Sequence, residues 1–173
     1  MFLLYGAFDM TENKIFIRRT LPQDAADIQQ IHVTAYKTSY RGFLPDDVLD
    51  ALKIEEEKIE RTRIYVAQIE SYVAVYQQQV IGFTHLAFPQ NNVVEIQALY
   101  VHPQFQRLGA GRALVEFVCA SKKRLAFSKC EVWTLKNGPS LPFYHKLGFV
   151  QELNVQEKSW KYGLPIIKLS KKL

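Results

Sequence analysis

The stretch from Val93 to Val118 constrains this chain more than any other. Residues 93–101 are rich in Val, Ile, Leu and Tyr and have the composition of a strand. His102-Pro103 ends it, because Pro103 has no N–H to give to a ladder. From Ala110 onward Leu114, Val115, Val118 and Cys119 recur at helical spacing. Gly109 and Gly111 therefore fall where a loop becomes a helix. Such a junction offers unpaired backbone N–H groups and the positive end of a helix dipole. Glycines there let a ligand come close to the backbone, which is the physics of a phosphate cradle.

Two familiar glycine-rich loops do not match. A P-loop has four residues between its glycines and then Lys-Ser/Thr, whereas only Ala110 separates Gly109 from Gly111 and Arg112 follows. A dinucleotide fingerprint needs a third glycine where Leu114 stands, and it follows its strand directly. Here residues 102–108 intervene. Glu131 does lie about 20 residues further on, where that fold keeps an acid, but it opens the next strand.

A third pattern matches. Gln106-Arg107-Leu108-Gly109-Ala110-Gly111 resembles the Gln/Arg-x-x-Gly-x-Gly/Ala loop of the GNAT superfamily, the acetyl-CoA-dependent N-acyltransferases. Leu99-Tyr100-Val101-His102-Pro103 resembles that family's bulged strand and turn. The segment from Asn137 to Phe149, ending Phe143-Tyr144-His145-Lys146-Leu147-Gly148-Phe149, resembles its second signature. The likeness follows element order over residues 14–170 and is specific over 93–149. The competing reading is an ordinary strand–turn–helix whose glycines serve only the turn. It requires two independent motifs at the right separation to be accidental.

A chain of 173 residues fits one domain, read as an N-acetyltransferase domain over 14–173 after an N-terminal extension, residues 1–13. The start is apolar but lacks a positive leader region and a cleavage pattern, so no signal peptide is expected. No run approaches membrane-spanning length. Cys119 and Cys130 read as buried free thiols in a reducing compartment, and the expected location is the cytoplasm. The four histidines are dispersed, so no metal is expected. A net charge of +5 suits a polyanionic small ligand; the basic residues are scattered, which argues against nucleic acid.

Read in order, Lys14–Arg19 alternates as a strand, and Thr20-Leu21-Pro22-Gln23-Asp24 starts a helix to about Tyr36. A second helix starts at Pro45-Asp46-Asp47, and a charged helical stretch runs from Glu55 to Arg63. Ile64–Gln77 reads as strand, Gln77-Gln78-Gln79 as a turn, and Val80–Phe88 as the next strand. Gly82 within it implies a bulge or a close backbone approach. Pro89-Gln90-Asn91-Asn92 reads as a hairpin turn. After the central helix come a strand at Lys129–Leu135, a helix over 142–147 stopped by Gly148, a strand at Phe149–Leu153, and a closing strand within Lys161–Leu169. The strand–helix–strand crossover predicts one parallel pair. The fold class is α/β (α+β): a mixed, mostly antiparallel central sheet with helices on both faces.

What the resemblance implies about chemistry attaches to named residues. The cofactor, acetyl-CoA, would lie where strands 93–101 and 129–135 splay. Backbone groups of Leu99, Tyr100 and Val101 would meet its pantetheine arm. Those of Gln106, Arg107, Leu108, Gly109, Ala110, Gly111 and Arg112 would meet its pyrophosphate. Asn137 resembles a pantetheine-contacting asparagine, its other reading being a helix cap. Tyr144 resembles the general acid that protonates the leaving thiolate; otherwise it is a packed helix tyrosine. Glu95 stands eleven residues before Gln106, where some relatives keep a catalytic base, or else on the solvent side of the pleat. Tyr36, Tyr40, Arg41 and Phe43 would wall the acceptor site, with core packing and a surface charge as the alternative. The implied activity is acetyl transfer to a primary amine of a small molecule, a polyamine or a protein N-terminus, on a fold where homodimers are common. A non-catalytic acyl-CoA-binding relative is the other reading.

Overall fold

The β-branched and aromatic runs lie side by side in one eight-stranded sheet. The computed structural model describes residues 14–90 and 92–173; the expected extension, residues 1–13, lies outside them. The strands are β1 (Phe16–Arg19), β2 (Glu70–Tyr76), β3 (Gln79–Gln90), β4 (Val93–Val101), β5 (Lys129–Leu135), β6 (Val150–Gln151), β7 (Lys158–Ser159) and β8 (Pro165–Lys172). Their spatial order is β1-β2-β3-β4-β5-β8-β6, with β7 also on β8. Pairing is antiparallel except between β4 and β5, which run parallel. The crossover between those two is α4 (Ala110–Arg124). Before β2 come α1 (Ala25–Tyr40), α2 (Asp46–Asp50) and α3 (Glu56–Gln68), and α5 (Leu141–Lys146) follows β5.

Alternation along the strands feeds two apolar layers. Val73 and Phe83 pack with Ile28 and Ile31 of α1 and Val66 of α3. Their neighbours Ala74 and Ile81 point the other way, onto Ala110 and Leu114 of α4. The largest cluster joins Val94, Ile96 and Val132 to Val115 and Val118 of α4, Tyr144 of α5 and Phe149. Full burial of side chains such as Leu114 and Phe149 stabilises the fold by about 2–3 kcal/mol each. The entry to α1 is fixed by Arg18, which gives Asp24 two hydrogen bonds at 2.7 and 2.8 Å. Burial alone would raise the Asp24 carboxyl; the Arg18 and Leu21 N–H donors outweigh it and hold it below the usual range.

Several boundaries differ from the sequence reading. α1 continues four residues past Tyr36, because Tyr40 stacks on Tyr36 one turn below, at 4.4 Å between ring centroids. Ile64–Gln68 is helix, not strand. Thr62 and Val66 are buried one turn apart, and Thr62 accepts a 2.7 Å hydrogen bond from Gln29, so α3 docks on α1 through this inward pair. Pro89 and Gln90 end β3 instead of forming the turn, and β6 is only two residues long. Gly82 does mark a close approach: a Cβ there would lie 3.0 Å from the Tyr100 carbonyl oxygen.

Under α3 a buried polar chain runs from Thr20 to His85. The Thr20 and Ser71 hydroxyls are 2.8 Å apart, and Ser71 Oγ is 2.8 Å from His85 Nδ1. The His85 ring packs against Phe83 and Tyr65. Burial, and then the nearby His32, push this imidazole down from 6.5 to about 4. The folded state therefore binds fewer protons than the unfolded chain between these values. Stability contributed by the neutral ring is complete above about 6.5 and is lost as pH falls toward 4, by about 1 kcal/mol per pH unit. Urea midpoints at pH 7 and pH 5 should differ accordingly, and His85→Gln should flatten that difference.

Candidate active site

The site begins where two strands part. β4 and β5 pair only from Val93 with Lys129 to Ile96 with Val132. Beyond that, β4 stays on β3 as far as Val101, while β5 stays on β8 as far as Leu135. The cause is a bulge. His85 pairs with Ala98 but Leu86 with Ile96, so Gln97 is an extra residue on β4. A bulge sharpens the local twist and turns the strand away from its neighbour. Backbone groups of residues 97–101 that face the gap consequently have no ladder partner on β5. One of them, the Val101 carbonyl, accepts from the Gln106 side chain at 3.4 Å.

The bulge also switches which residues face which side. Leu99 and Val101 pack toward α4 with Ile81 and Leu114, while Ala98 and Tyr100 pack toward α1 with Ile28 and Ile31. After β4, Pro103–Phe105 forms a short 3-10 turn, and Arg107 and Gly109 take left-handed backbone, φ 66° and 96°. Gly109 caps α4. The first internal bond of that helix is from Ala113 N to Gly109 O at 2.9 Å. The N–H groups of Ala110, Gly111 and Arg112 therefore project from the helix start toward the loop. A Cβ on Gly109 would meet nothing within 4 Å, so the glycine serves the backbone angle and leaves an open cradle.

A cleft of about 780 Å³ runs from this cradle through the strand gap to the α1 side. Gln106, Arg107, Gly109, Ala110, Gly111 and Arg112 line one end; Leu99, Tyr100, Val101 and Tyr144 line its middle; Ser39, Tyr40, Trp133 and Trp160 line the other end. Tyr144 is 5% exposed and held edge-on between Phe143 and Phe149, at 5.1 and 5.5 Å. Burial, followed by the neighbouring Cys130 and Tyr40, pushes its phenol above the ordinary range, so it keeps its proton at neutral pH. Its hydroxyl makes no hydrogen bond to the described residues. Arg112 also meets Glu116 at 3.3 Å on the surface of α4.

Other residues singled out from sequence lie elsewhere. Leu108 is exposed at the loop crest, outside the lining. Asn137 is exposed in the turn after β5; the residue capping α5 is Ser140, whose hydroxyl lies 2.7 Å from that of Thr134. Glu95 is half-buried beside Glu131 on β5, before the bulge, on the sheet face of Ala98 and Tyr100 but not in the cleft wall. Tyr36 is buried behind Tyr40 and packs on it and on His32. Arg41 is an exposed corner between α1 and α2, bound to Asp46 at 2.9 Å and Asp50 at 2.6 Å. Phe43 is half-buried and outside the cleft. The sequence reading missed Phe105, Trp133 and Trp160, all of which line it. The one sequence signal for Trp160 is a large aromatic residue in a polar stretch.

Parted strands over a glycine-capped helix, with a buried phenol between, make up the kind of site that the resemblance to the N-acyltransferases implies. The chain belongs to the GNAT acetyltransferases: the family model described as an acetyltransferase (GNAT) domain matches residues 60–151. It is 30% identical over 139 residues to an uncharacterized N-acetyltransferase of Bacillus subtilis, YuaI, covering 75% of this chain and 77% of that protein. The fold is similar to the PaiA N-acetyltransferase of Thermoplasma acidophilum in complex with coenzyme A, with TM-score 0.73 and 20% identity over 92% of this chain and 99% of that one. It is also similar to yncA, a putative acetyltransferase of Salmonella typhimurium with acetyl-CoA, with TM-score 0.68 and 21% identity over 93% and 95% of the two chains. The protein is thus an acetyltransferase of mixed α/β fold. Among the described residues no helix is long and apolar enough to cross a membrane.

Proposed function

We propose that the protein moves the acetyl group of acetyl-CoA onto a primary amine by direct attack while both are bound. The observation that carries this reading is the single continuous cleft joining the α4 N-terminus, Tyr144 and the aromatic α1 wall. Acetyl-CoA supplies a thioester whose carbon accepts the amine nitrogen as the carbon–sulfur bond breaks. The N–H groups of residues 110–112 and the Arg107 side chain hold the pyrophosphate end. Unpaired β4 backbone from Leu99 to Val101 orients the arm and gives a donor to the carbonyl oxygen. Tyr144 protonates the departing sulfur, a role suited to a phenol that burial keeps protonated. Glu95 takes the amine proton through an intervening water, which its place on the acceptor face behind the cleft wall requires. The two buried free thiols, Cys119 and Cys130, suit a reducing cytoplasmic setting.

Calorimetric titration with acetyl-CoA, followed by a thiol-release assay over a panel of amines, tests this. Saturable one-to-one binding with amine-dependent thiol release is the expected result. Absence of binding at about 1 mM acetyl-CoA, an affinity weaker than about −4 kcal/mol, from folded protein would remove the cradle. Binding with no turnover on any amine would favour a non-catalytic acyl-CoA-binding role.

A further inference from the structure

The acceptor end of the cleft is walled by rings that already carry the chain's own cations. Trp133 holds the Lys158 ammonium 4.1 Å from its ring centroid and that of Lys168 at 5.3 Å. Lys161 Nζ lies 5.6 Å from the Trp160 ring and 5.2 Å from the buried Tyr36 ring, and donates to the Tyr36 hydroxyl at 3.2 Å. A bare aromatic wall attracts a ligand cation through its ring quadrupoles. Here Trp133 and Trp160 each already carry a lysine, Tyr40 carries none, and Lys158 and Lys161 flank the cleft without lining it.

The carboxylates nearby are committed to other bases. Asp46 and Asp50 bind Arg41, Glu157 binds Lys136, and Glu152 binds Lys129. Glu131, 3% exposed, sits between Lys129 and Lys168. Glu95 is the exception: it has no basic partner among the described residues, and it lies before the bulge, outside the cleft wall. Neither Lys158 nor Lys161 has a carboxylate within salt-bridge distance among the described residues. The imidazole of His32, packed on Tyr36 and Tyr100, is pushed down by burial and then by the Lys161 charge.

We propose that the acceptor is an amine on a flat or apolar body that also carries an anionic group, with Lys161 and Lys158 setting this specificity. The proposal rests on the acetyl-transfer reading of the cleft. The apolar body lies along Tyr40 and Trp160, and the anion is taken by exposed ammonium groups that have no acid of their own. A polyamine would bring further positive charge beside these two ammonium groups.

The chain has two tryptophans, Trp133 and Trp160, and both line this end, so tryptophan emission reports binding there directly. Protein saturated with coenzyme A is titrated with L-phenylalanine, with phenethylamine, which lacks only the carboxylate, and with spermidine. Phenylalanine should half-saturate at a concentration at least about fivefold below phenethylamine, with spermidine the weakest. Lys161→Met should bring phenylalanine toward phenethylamine, and Lys161→Arg should keep the preference. Tighter or equal binding of phenethylamine or spermidine overturns the proposal, as does an unaltered preference in Lys161→Met or no response to phenylalanine. A parallel calorimetric titration with coenzyme A separates the failures. Protein that binds the cofactor but prefers the cation loses only this inference; protein that does not bind it loses the acetyl-transfer reading as well.

Discussion

Tyr144→Phe should lower the rate of acetyl transfer by about a hundredfold or more and leave acetyl-CoA affinity nearly unchanged. A proton delivered to a departing thiolate acts in the transition state, so its loss falls on kcat and not on cofactor binding. The substitution is clean in packing terms. The ring keeps its edge contacts with Phe143 and Phe149, and the hydroxyl it loses has no hydrogen bond to the described residues. Thermal midpoint should therefore stay close to that of the parent. Steady-state kinetics with calorimetry on the same sample decides the matter: equal turnover would take Tyr144 out of the mechanism.

Gly109→Val should abolish measurable acetyl-CoA binding, a loss of at least about a hundredfold in affinity. Two effects combine. Position 109 has φ 96°, a backbone conformation that costs a β-branched residue about 1–3 kcal/mol. Its side chain would also enter the open space before the N–H groups of residues 110–112. Relaxation of the loop to relieve the first effect would swing those donors off target. Unchanged affinity in a folded Gly109→Val protein would mean that the phosphate end binds elsewhere.

Much of this was legible in the sequence because its signals are local. Gly109 and Gly111 between a proline-ended strand and an apolar-periodic helix announce a cradle without any knowledge of tertiary structure. The α4 crossover likewise forces a parallel β4–β5 pair, as found. Ile64–Gln68 misled because Tyr65 and Ala67 alternate like a strand. What decides the segment is the inward pair Thr62 and Val66, meaningful only once α1 is beside it. Thr38 and Ser39 are poor helix formers, yet α1 passes through them because Tyr40 is held by Tyr36 and by Trp160, 120 residues away in sequence and 5.0 Å away between rings.

The proposed acceptor wall was the least legible part for the same reason. Tyr36, Arg41 and Phe43 lie near Tyr40 in the chain, but only Tyr40 of the four lines the cleft. The wall is completed by Trp133 and Trp160 from distant strands and loops, and adjacency of that kind is set by strand order, which no local pattern encodes.

The extra residue at Gln97 divides the labour of one strand. Because of it, Leu99 and Val101 face α4 while Ala98 and Tyr100 face α1, the sides proposed for cofactor and acceptor, and no side chain among them serves both. Substitutions at alternate positions can therefore retune one half without disturbing the grip of the other. A single-residue deletion at 97 would leave these facings and partners in place and remove the bulge that parts β4 from β5. The bulge makes the strand tolerant of change in its letters and intolerant of change in its count.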